Sequence, residues 1–236
     1  MEAWLQAHRA ELLEDLQCCI RIPSVAQEDD SGYPFGLPIH RCLTFMLELA
    51  RQKGLAVHNM DNYLGWCEYG QGEELVAVLA HLDVVPPGTG WTEDPFGGRI
   101  RDGRIYGRGA MDDKGPAMAA LYALLALKES RIPLQRRVRL IFGLNEESGS
   151  RDMRYYRDHG GELPQLDQTD QGGADQQLVR QGIHKLPEIC DKIIFPRNLS
   201  IQHICQAGNN KNNQRKNRRQ CPKANIRQQE KHKKRN

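Results

Sequence analysis

Two strand-like runs on either side of a long apolar helix constrain the fold more than any other feature. The run LVAVLA (residues 75–80) has no polar residue, which predicts a strand covered on both faces. The segment RVRLIFG (137–143) predicts a second strand, and the Ala- and Leu-rich segment between them (115–130) predicts a largely buried helix. Covered strands require helices on both sides of a sheet. The predicted fold class is therefore α/β, a three-layer α/β/α sandwich.

The rest of the N-terminal sequence supplies shorter elements of both kinds. We predict helices, strands and one tight hairpin, in this order: a surface helix over 3–19, a helix over 37–53 capped by Gly54, strands over 55–60 and 64–69, a hairpin over 99–106 that turns at Asp102-Gly103, and a polar helix over 148–158. Helices that alternate with strands in this way place functional groups beyond the carboxyl ends of the strands.

The charge distribution and the cysteine content indicate the cellular environment of the protein. The net charge of +3 hides a division, since residues 206–236 hold 11 Lys/Arg and one acid, whereas residues 1–205 hold 22 basic and 29 acidic residues, a net of −7. Seven cysteines without a C-x-x-C spacing, behind a charged amphipathic N-terminus, predict a reducing cytoplasmic setting. No apolar stretch reaches the length of about 18 residues that a spanning helix needs, so we expect no membrane partner.

Acidic side chains and one histidine follow three consecutive predicted elements. His81 and Asp83 come directly after the first apolar strand, and their spacing of two places both side chains on one face of an extended chain. Alone, such a pair is also typical of a structural hydrogen bond. Asp112 and Asp113 lie among glycines before the apolar helix, where one aspartate could be a helix N-cap.

The third position carries two adjacent glutamates. Glu146 and Glu147 follow the strand over 137–143, and they could simply be the acidic first turn of the next helix. Taken together, however, the three positions predict one pocket crowded with carboxylates, which would repel each other unless a cation were bound. Oxygen ligands with one imidazole suit zinc, and also manganese or cobalt.

Two long segments carry a resemblance to a known family. The stretch AHLDVVPPGTGWTEDPFGGRIRDGRIYGRGAMDDKGPAMAALYAL (80–124) and the stretch NEESGSRDM (145–153) resemble the bacterial di-metal dipeptidases of Xaa-His type. Those enzymes belong to the metallopeptidase family that also contains carnosinase, glutamate carboxypeptidase, aminoacylase and succinyl-diaminopimelate desuccinylase. The segments YPFG (33–36) and MDNYLGWCEYG (60–70) resemble the dipeptidase branch.

The resemblance implies a role for each residue and a cofactor of two divalent ions, most simply zinc. His81 would bind one metal while Asp83 orients its ring, and Asp112 would bridge both metals, with a cis peptide bond before the next residue. Glu147 would bind the second metal, and Glu146 would act as general base. The implied activity is hydrolysis of a dipeptide, so the expected partner is a small peptide.

The resemblance runs from about residue 1 to about residue 157, which we predict to be the N-terminal part of a metallopeptidase catalytic domain. Residues 158–236 lack the family pattern, and we predict a basic, disordered tail without a domain assignment. The Asp and His ligands that the family would supply there are not recognisable, although Asp170, His159, His184, His203 and His232 are present. The resemblance implies that the lid domain and the C-terminal half of the catalytic domain are absent from this sequence.

Three functions follow from this pattern. The first is a metal-dependent dipeptidase, and the second is an inactive family member, truncated or altered by a shift of reading frame near residues 158–170. The third is a nucleic-acid binder that uses the basic tail, but the tail has no interleaved aromatic residues and no folded motif. We therefore expect no specific nucleic-acid partner.

Overall fold

A four-stranded mixed sheet with helices on both faces forms the described part of the chain. The computed structural model describes residues 1–164. The helices are α1 Glu2–Ala7, α2 Arg9–Ile20, α3 Leu37–Gln52, α4 Lys114–Ser130 and α5 Arg151–Asp158, with a 3₁₀ turn at Glu146–Ser148. The strands are β1 Ala56–Met60, β2 Leu64–Tyr69, β3 Leu75–His81, β4 Arg99–Arg101, β5 Arg104–Tyr106 and β6 Arg137–Gly143.

Two parallel strands end at the same edge of this sheet. The strand order is β1-β2-β6-β3, and β3 and β6 run parallel with His81 opposite Gly143. The strands β1 and β2 join the sheet antiparallel. The residues that follow β3 therefore lie beside those that follow β6, as expected for parallel strands.

Alternation along β6 divides the apolar side chains between two faces. Leu140 and Phe142 point into the main core, which α2, α3 and α4 cover, whereas Ile141 points to the opposite face. There it meets Leu64 and Tyr156, the latter from α5. Each fully buried Leu or Phe contributes about 1.5–3 kcal/mol to folding, so the larger cluster dominates the stability of this part of the chain. The α/β layering predicted from the sequence is confirmed.

The long apolar helix behaves as its composition predicts. Eleven of the 17 residues of α4 are buried, on nearly all sides of the helix. The hairpin β4-β5 also forms, and it turns at Asp102 and Gly103, both with positive φ (51° and 71°), as the tight turn of such a hairpin requires.

Three element predictions differ from the structure. The helix predicted over 3–19 is two helices, α1 and α2, which meet at His8, and five residues of α2 are buried. The polar helix predicted from Ser148 starts at Arg151, because the 3₁₀ turn precedes it. The strand β3 is not fully covered, since its middle residues are half-buried and Val76 is 38% exposed. In the sheet formed by residues 1–164, β3 is an edge strand, which explains the exposure of its side chains.

Candidate metal centre

One histidine and two carboxylates converge beyond the carboxyl ends of β3 and β6. The potential ligand atoms of His81, Asp112 and Glu147 all lie within 4.8 Å of one another. His81 is the last residue of β3, Asp112 belongs to the turn before α4, and Glu147 belongs to the 3₁₀ turn after β6. The His81 Nε2 atom lies 3.0 Å from Asp112 Oδ1. The structure thus brings together one predicted ligand from each of the three sequence positions.

The buried carboxylate of Asp83 holds this arrangement together by contacting both His81 and the backbone of the two glutamates. Its side chain is 1% exposed, and Oδ1 lies 3.3 Å from Nδ1 of His81, whose Nδ1 also lies 3.0 Å from the Asp83 carbonyl oxygen. The same carboxylate accepts hydrogen bonds from the backbone N–H groups of Glu146 (3.2 Å) and Glu147 (3.1 Å). One buried carboxylate therefore connects the histidine after β3 with the glutamates after β6. With Nδ1 occupied, Nε2 is the ring atom that faces Asp112.

Asp113 is not the helix cap that its position allows. It stands at the N-cap of α4, but its side chain makes no capping hydrogen bond. Instead, Oδ2 of Asp113 accepts a hydrogen bond of 3.1 Å from the backbone N–H of His81. The peptide bond between Asp112 and Asp113 is cis, as the family resemblance implies.

The two adjacent glutamates point to different places. Glu147 lies in the ligand cluster and is half-buried, whereas the Glu146 side chain is 53% exposed and its Oε2 lies 3.8 Å from Nε2 of His81. Glu146 is therefore close to the cluster but outside its set of three ligand atoms.

The pKa values report the crowding of negative charge. Burial alone would lower the pKa of His81, but its hydrogen bond to Asp83 and the charges of Asp113, Asp83 and Asp112 raise that pKa to about 10. Burial raises the pKa of Asp113 to about 7. Burial, followed by the charge of Asp112, also raises the pKa of Glu147. Such a cluster favours a bound cation, because a cation offsets the repulsion among the carboxylates.

The donor set fits a divalent ion of the zinc type. Two carboxylates and one imidazole are ligands that zinc takes at catalytic sites, whereas structural zinc sites use mainly thiolates. The free cysteines of the described chain, Cys19, Cys42 and Cys67, are buried and do not belong to the cluster. Manganese and cobalt accept the same oxygen and nitrogen donors.

Sequence reasoning missed one buried carboxylate beside the centre. Asp152, in the first turn of α5, is 1% exposed and binds the backbone between β6 and the glutamates. An acidic residue in a first helical turn is common on exposed helices, so its sequence position carries no signal of this role.

The remaining candidate ligands lie elsewhere. His159 is exposed, and its ring stacks on Tyr155 at 3.7 Å between centroids. Asp170, His184, His203 and His232, together with the tail predicted to be disordered, lie outside the described residues. Within residues 1–164, no helix combines the length and the hydropathy that crossing a membrane requires.

Comparison with known proteins identifies the family of this arrangement. The sequence profile of peptidase family M20/M25/M40 matches residues 77–205, a range that starts within β3 and continues past residue 157. "Putative dipeptidase YtjP" of Bacillus subtilis (strain 168) is 47% identical over 160 residues, which are 67% of this chain and 34% of that protein.

A second relative and a solved structure match a similar share of this chain. The β-Ala-Xaa dipeptidase of Lactobacillus delbrueckii subsp. lactis is 37% identical over 158 residues, which are 66% of this chain and 33% of the relative. The crystal structure of human carnosine dipeptidase 1 superposes with a TM-score of 0.57 at 24% identity, over 66% of this chain and 37% of that one, which shows a shared fold. The chain spans about a third of the length of the curated relatives it matches.

Proposed function

Since the chain belongs to peptidase family M20/M25/M40, we propose that it carries the metal-binding part of a cytoplasmic dipeptidase. The reaction is hydrolysis of the peptide bond of a small dipeptide, and the cofactor is a pair of divalent ions, most simply zinc, with manganese or cobalt as the alternatives. The names of the relatives support a dipeptide as substrate. The partner is thus a small peptide, and neither a membrane nor a specific nucleic acid is part of this proposal.

The observation that carries the proposal is the division between the two glutamates. The Glu147 carboxylate lies within 4.8 Å of the ligand atoms of His81 and Asp112, while the Glu146 carboxylate stays outside that set and is half-exposed. A metal-assisted hydrolase needs both kinds of carboxylate, because one must hold an ion and the other must remain free to accept a proton.

The residues would divide the work as follows. His81 and Glu147 would be ligands of different ions, and Asp112 would be a ligand shared by both. When bound, the ions polarise the carbonyl group of the substrate and lower the pKa of a water molecule from 15.7 toward about 7. Asp83 keeps the His81 ring in place through Nδ1, at 3.3 Å from its Oδ1. This contact fixes the tautomer that offers Nε2 as ligand.

Glu146 is the general base. Its carboxylate takes a proton from the attacking water and then donates that proton to the amine nitrogen of the leaving amino acid. The half-exposed position of its side chain suits this role, because the carboxylate must reach a water molecule and a substrate that both enter from solvent.

A second candidate is a family member that binds metal without turnover. One observation favours it: the described residues bring together three ligand side chains, whereas two ions with four or five ligands each require further groups. Residues 1–157 remain the proposed catalytic part, and residues 158–236 remain without a proposed domain, including the alternative of a shifted reading frame.

A matched pair of isosteric variants tests these roles. Glu146→Gln should retain zinc and lose hydrolysis of a β-alanyl dipeptide by at least 100-fold, because a carboxamide cannot accept the proton. Glu147→Gln should lose zinc affinity at least tenfold, because it removes a charged ligand. Zinc content by elemental analysis and product release by chromatography measure the two effects.

Zinc content and dipeptide turnover of the parent chain distinguish the two candidate functions. Zinc retention together with dipeptide turnover supports the dipeptidase, and zinc retention without turnover supports the inactive member. Equal loss of zinc from both glutamine variants contradicts the assignment of Glu146 as a free base.

A further inference from the structure

Four consecutive backbone N–H groups after β6 donate to just two buried carboxylates. The N–H groups of Leu144 (2.6 Å) and Asn145 (3.0 Å) donate to Oδ2 of Asp152. The next two, from Glu146 and Glu147, donate to the Asp83 carboxylate at 3.2 and 3.1 Å. The backbone that leads to both glutamates is thus held from two sides, by side chains 69 residues apart in the sequence.

Asp152 is held in this place without a compensating charge. It is 1% exposed, and no cationic side chain among residues 1–164 forms an ion pair with it. Burial raises its pKa, and the charge of Asp83 adds to that effect, while the hydrogen bonds from the backbone act in the opposite direction. Burying an uncompensated carboxylate costs folding free energy, so an apolar residue would serve better if packing were its only role.

The backbone around Asp152 accommodates the close approach. A Cβ atom on Gly143, the last residue of β6, would lie 3.0 Å from Oδ2 of Asp152, which is tighter than an ordinary van der Waals contact. Oδ1 of Asp152 lies 2.8 Å from the backbone N–H of Met153, so both oxygens are engaged at the start of α5. The carboxylate therefore joins the end of β6 to the first turn of the following helix.

We infer that Asp152 is a positioning residue for the metal centre, which acts through the backbone of residues 144–147 to set the direction of Glu147 toward the metal and of Glu146 away from it. This inference rests on the proposed function, because it names a further residue of the same site. Groups that orient a ligand through hydrogen bonds typically change metal affinity by 10- to 100-fold when they are replaced.

The variant Asp152→Asn in the full chain tests the inference. Its side chain has the same shape, but its NH₂ group replaces one acceptor and faces backbone donors. Zinc affinity, measured by competition with a chromophoric chelator well below the unfolding temperature, should fall by 10- to 100-fold. The control is Asp158→Asn, which removes the same charge from an exposed position at the end of α5, and its zinc affinity should stay within twofold of the parent.

A second readout separates positioning from general stability. Hydrogen exchange of the amides of residues 144–147 should accelerate in Asp152→Asn, while the amides of α4 keep the protection of the parent. A purely structural role would instead lower the unfolding temperature without changing the zinc affinity of the folded protein.

The two proposals fail in different ways. If the parent chain binds no zinc, the proposed function fails, and the exchange of residues 144–147 still decides whether Asp152 holds this turn. If Asp152→Asn binds zinc as tightly as Asp158→Asn, or if amides 144–147 remain equally protected, Asp152 has no positioning role.

Discussion

His81 holds a proton at neutral pH in the metal-free chain, and this proton competes with any metal. Burial opposes the charged form, but the contacts with Asp83, Asp113 and Asp112 outweigh it and raise the pKa of His81 to about 10. A metal ligand must be the neutral imidazole, so binding has to displace the proton. The same carboxylates that prepare the site for a cation therefore also bind a proton in its place.

This competition gives zinc binding a definite pH dependence. Because pH 6 to 8 lies below the raised pKa of His81, the affinity for the zinc ion that His81 holds should increase with pH by about tenfold per unit, and binding of that ion should release about one proton at pH 7. Titration calorimetry in two buffers with different ionisation enthalpies measures the released protons. The variant His159→Gln, at an exposed histidine outside the cluster, is the control and should behave like the parent. Equal heats in both buffers would contradict the displacement of a proton.

The sequence predicted which residues meet at this cluster, and Asp83 beside His81, but it did not predict Asp152. Each of the three positions also had a structural reading of its own, as a hydrogen-bonded pair, a helix N-cap or an acidic first turn. The prediction of one site came from their combination, which the structure brings together in His81, Asp112 and Glu147. Asp152 could not be predicted, because its role depends on the direction in which α5 leaves the 3₁₀ turn. That direction is set by packing between elements and has no local sequence pattern.

At the scale of elements, α5 is attached to the sheet through a buried tyrosine. The Tyr156 side chain is 1% exposed and touches Leu64 and Ile141. Its hydroxyl accepts a hydrogen bond from Arg139 Nη1 (2.8 Å) and donates one to the Glu162 carbonyl (2.6 Å). Arg139 is itself buried, and its Nε donates a hydrogen bond of 2.7 Å to Glu68 Oε2. The tyrosine hydroxyl therefore belongs to a hydrogen-bonded chain of polar side chains beside the apolar cluster of Leu64, Ile141 and Tyr156.

Two adjacent tyrosines allow a matched test of this attachment. Tyr156→Phe should lower the free energy of unfolding by about 1–3 kcal/mol, because it leaves buried polar groups without a partner. Tyr155→Phe should change it by less than about 0.5 kcal/mol, since its hydroxyl contacts Asp61 at an exposed position and phenylalanine keeps the stacking on Tyr63. Urea unfolding followed by circular dichroism measures both. Equal effects would show that α5 does not depend on the buried hydroxyl.

The positions of the long apolar elements were predicted more reliably than the burial of β3 and than the boundaries of the shorter helices. Composition alone placed α4 and β6, because an Ala- and Leu-rich segment and a short apolar run have strong local preferences. The burial of β3 was predicted wrongly, since a continuous apolar run indicates what a strand can bury and not which neighbours are present. Within residues 1–164, β3 has one neighbouring strand, β6, and no strand pairs with its other edge, where only the backbone N–H of His81 donates to Asp113.

At the scale of the whole molecule, the edge of the sheet at β3 determines how the chain can contact a second copy of itself. The strand β3 has seven residues without Lys, Arg, Asp, Glu or Pro, the residues that protect natural edge strands from pairing with other chains. The curated relatives are about three times longer than the part that matches this chain. Among residues 1–164, the six residues of β3 that precede His81 form an edge segment without charged side chains, next to the metal centre.

We expect this edge to cause concentration-dependent self-association of the chain. Val76→Lys places a charge at an exposed position of β3 and should reduce association several-fold at equal concentration. Ile100→Lys is the matched control, because it adds the same charge at an equally exposed apolar residue (41% against 38%) on the separate β4-β5 hairpin. Light scattering over a range of concentrations measures the mean mass of each variant. If both lysine variants associate less than the parent and to the same degree, net charge and not the edge of β3 controls association. If only Val76→Lys associates less than the parent, pairing at this edge is the cause.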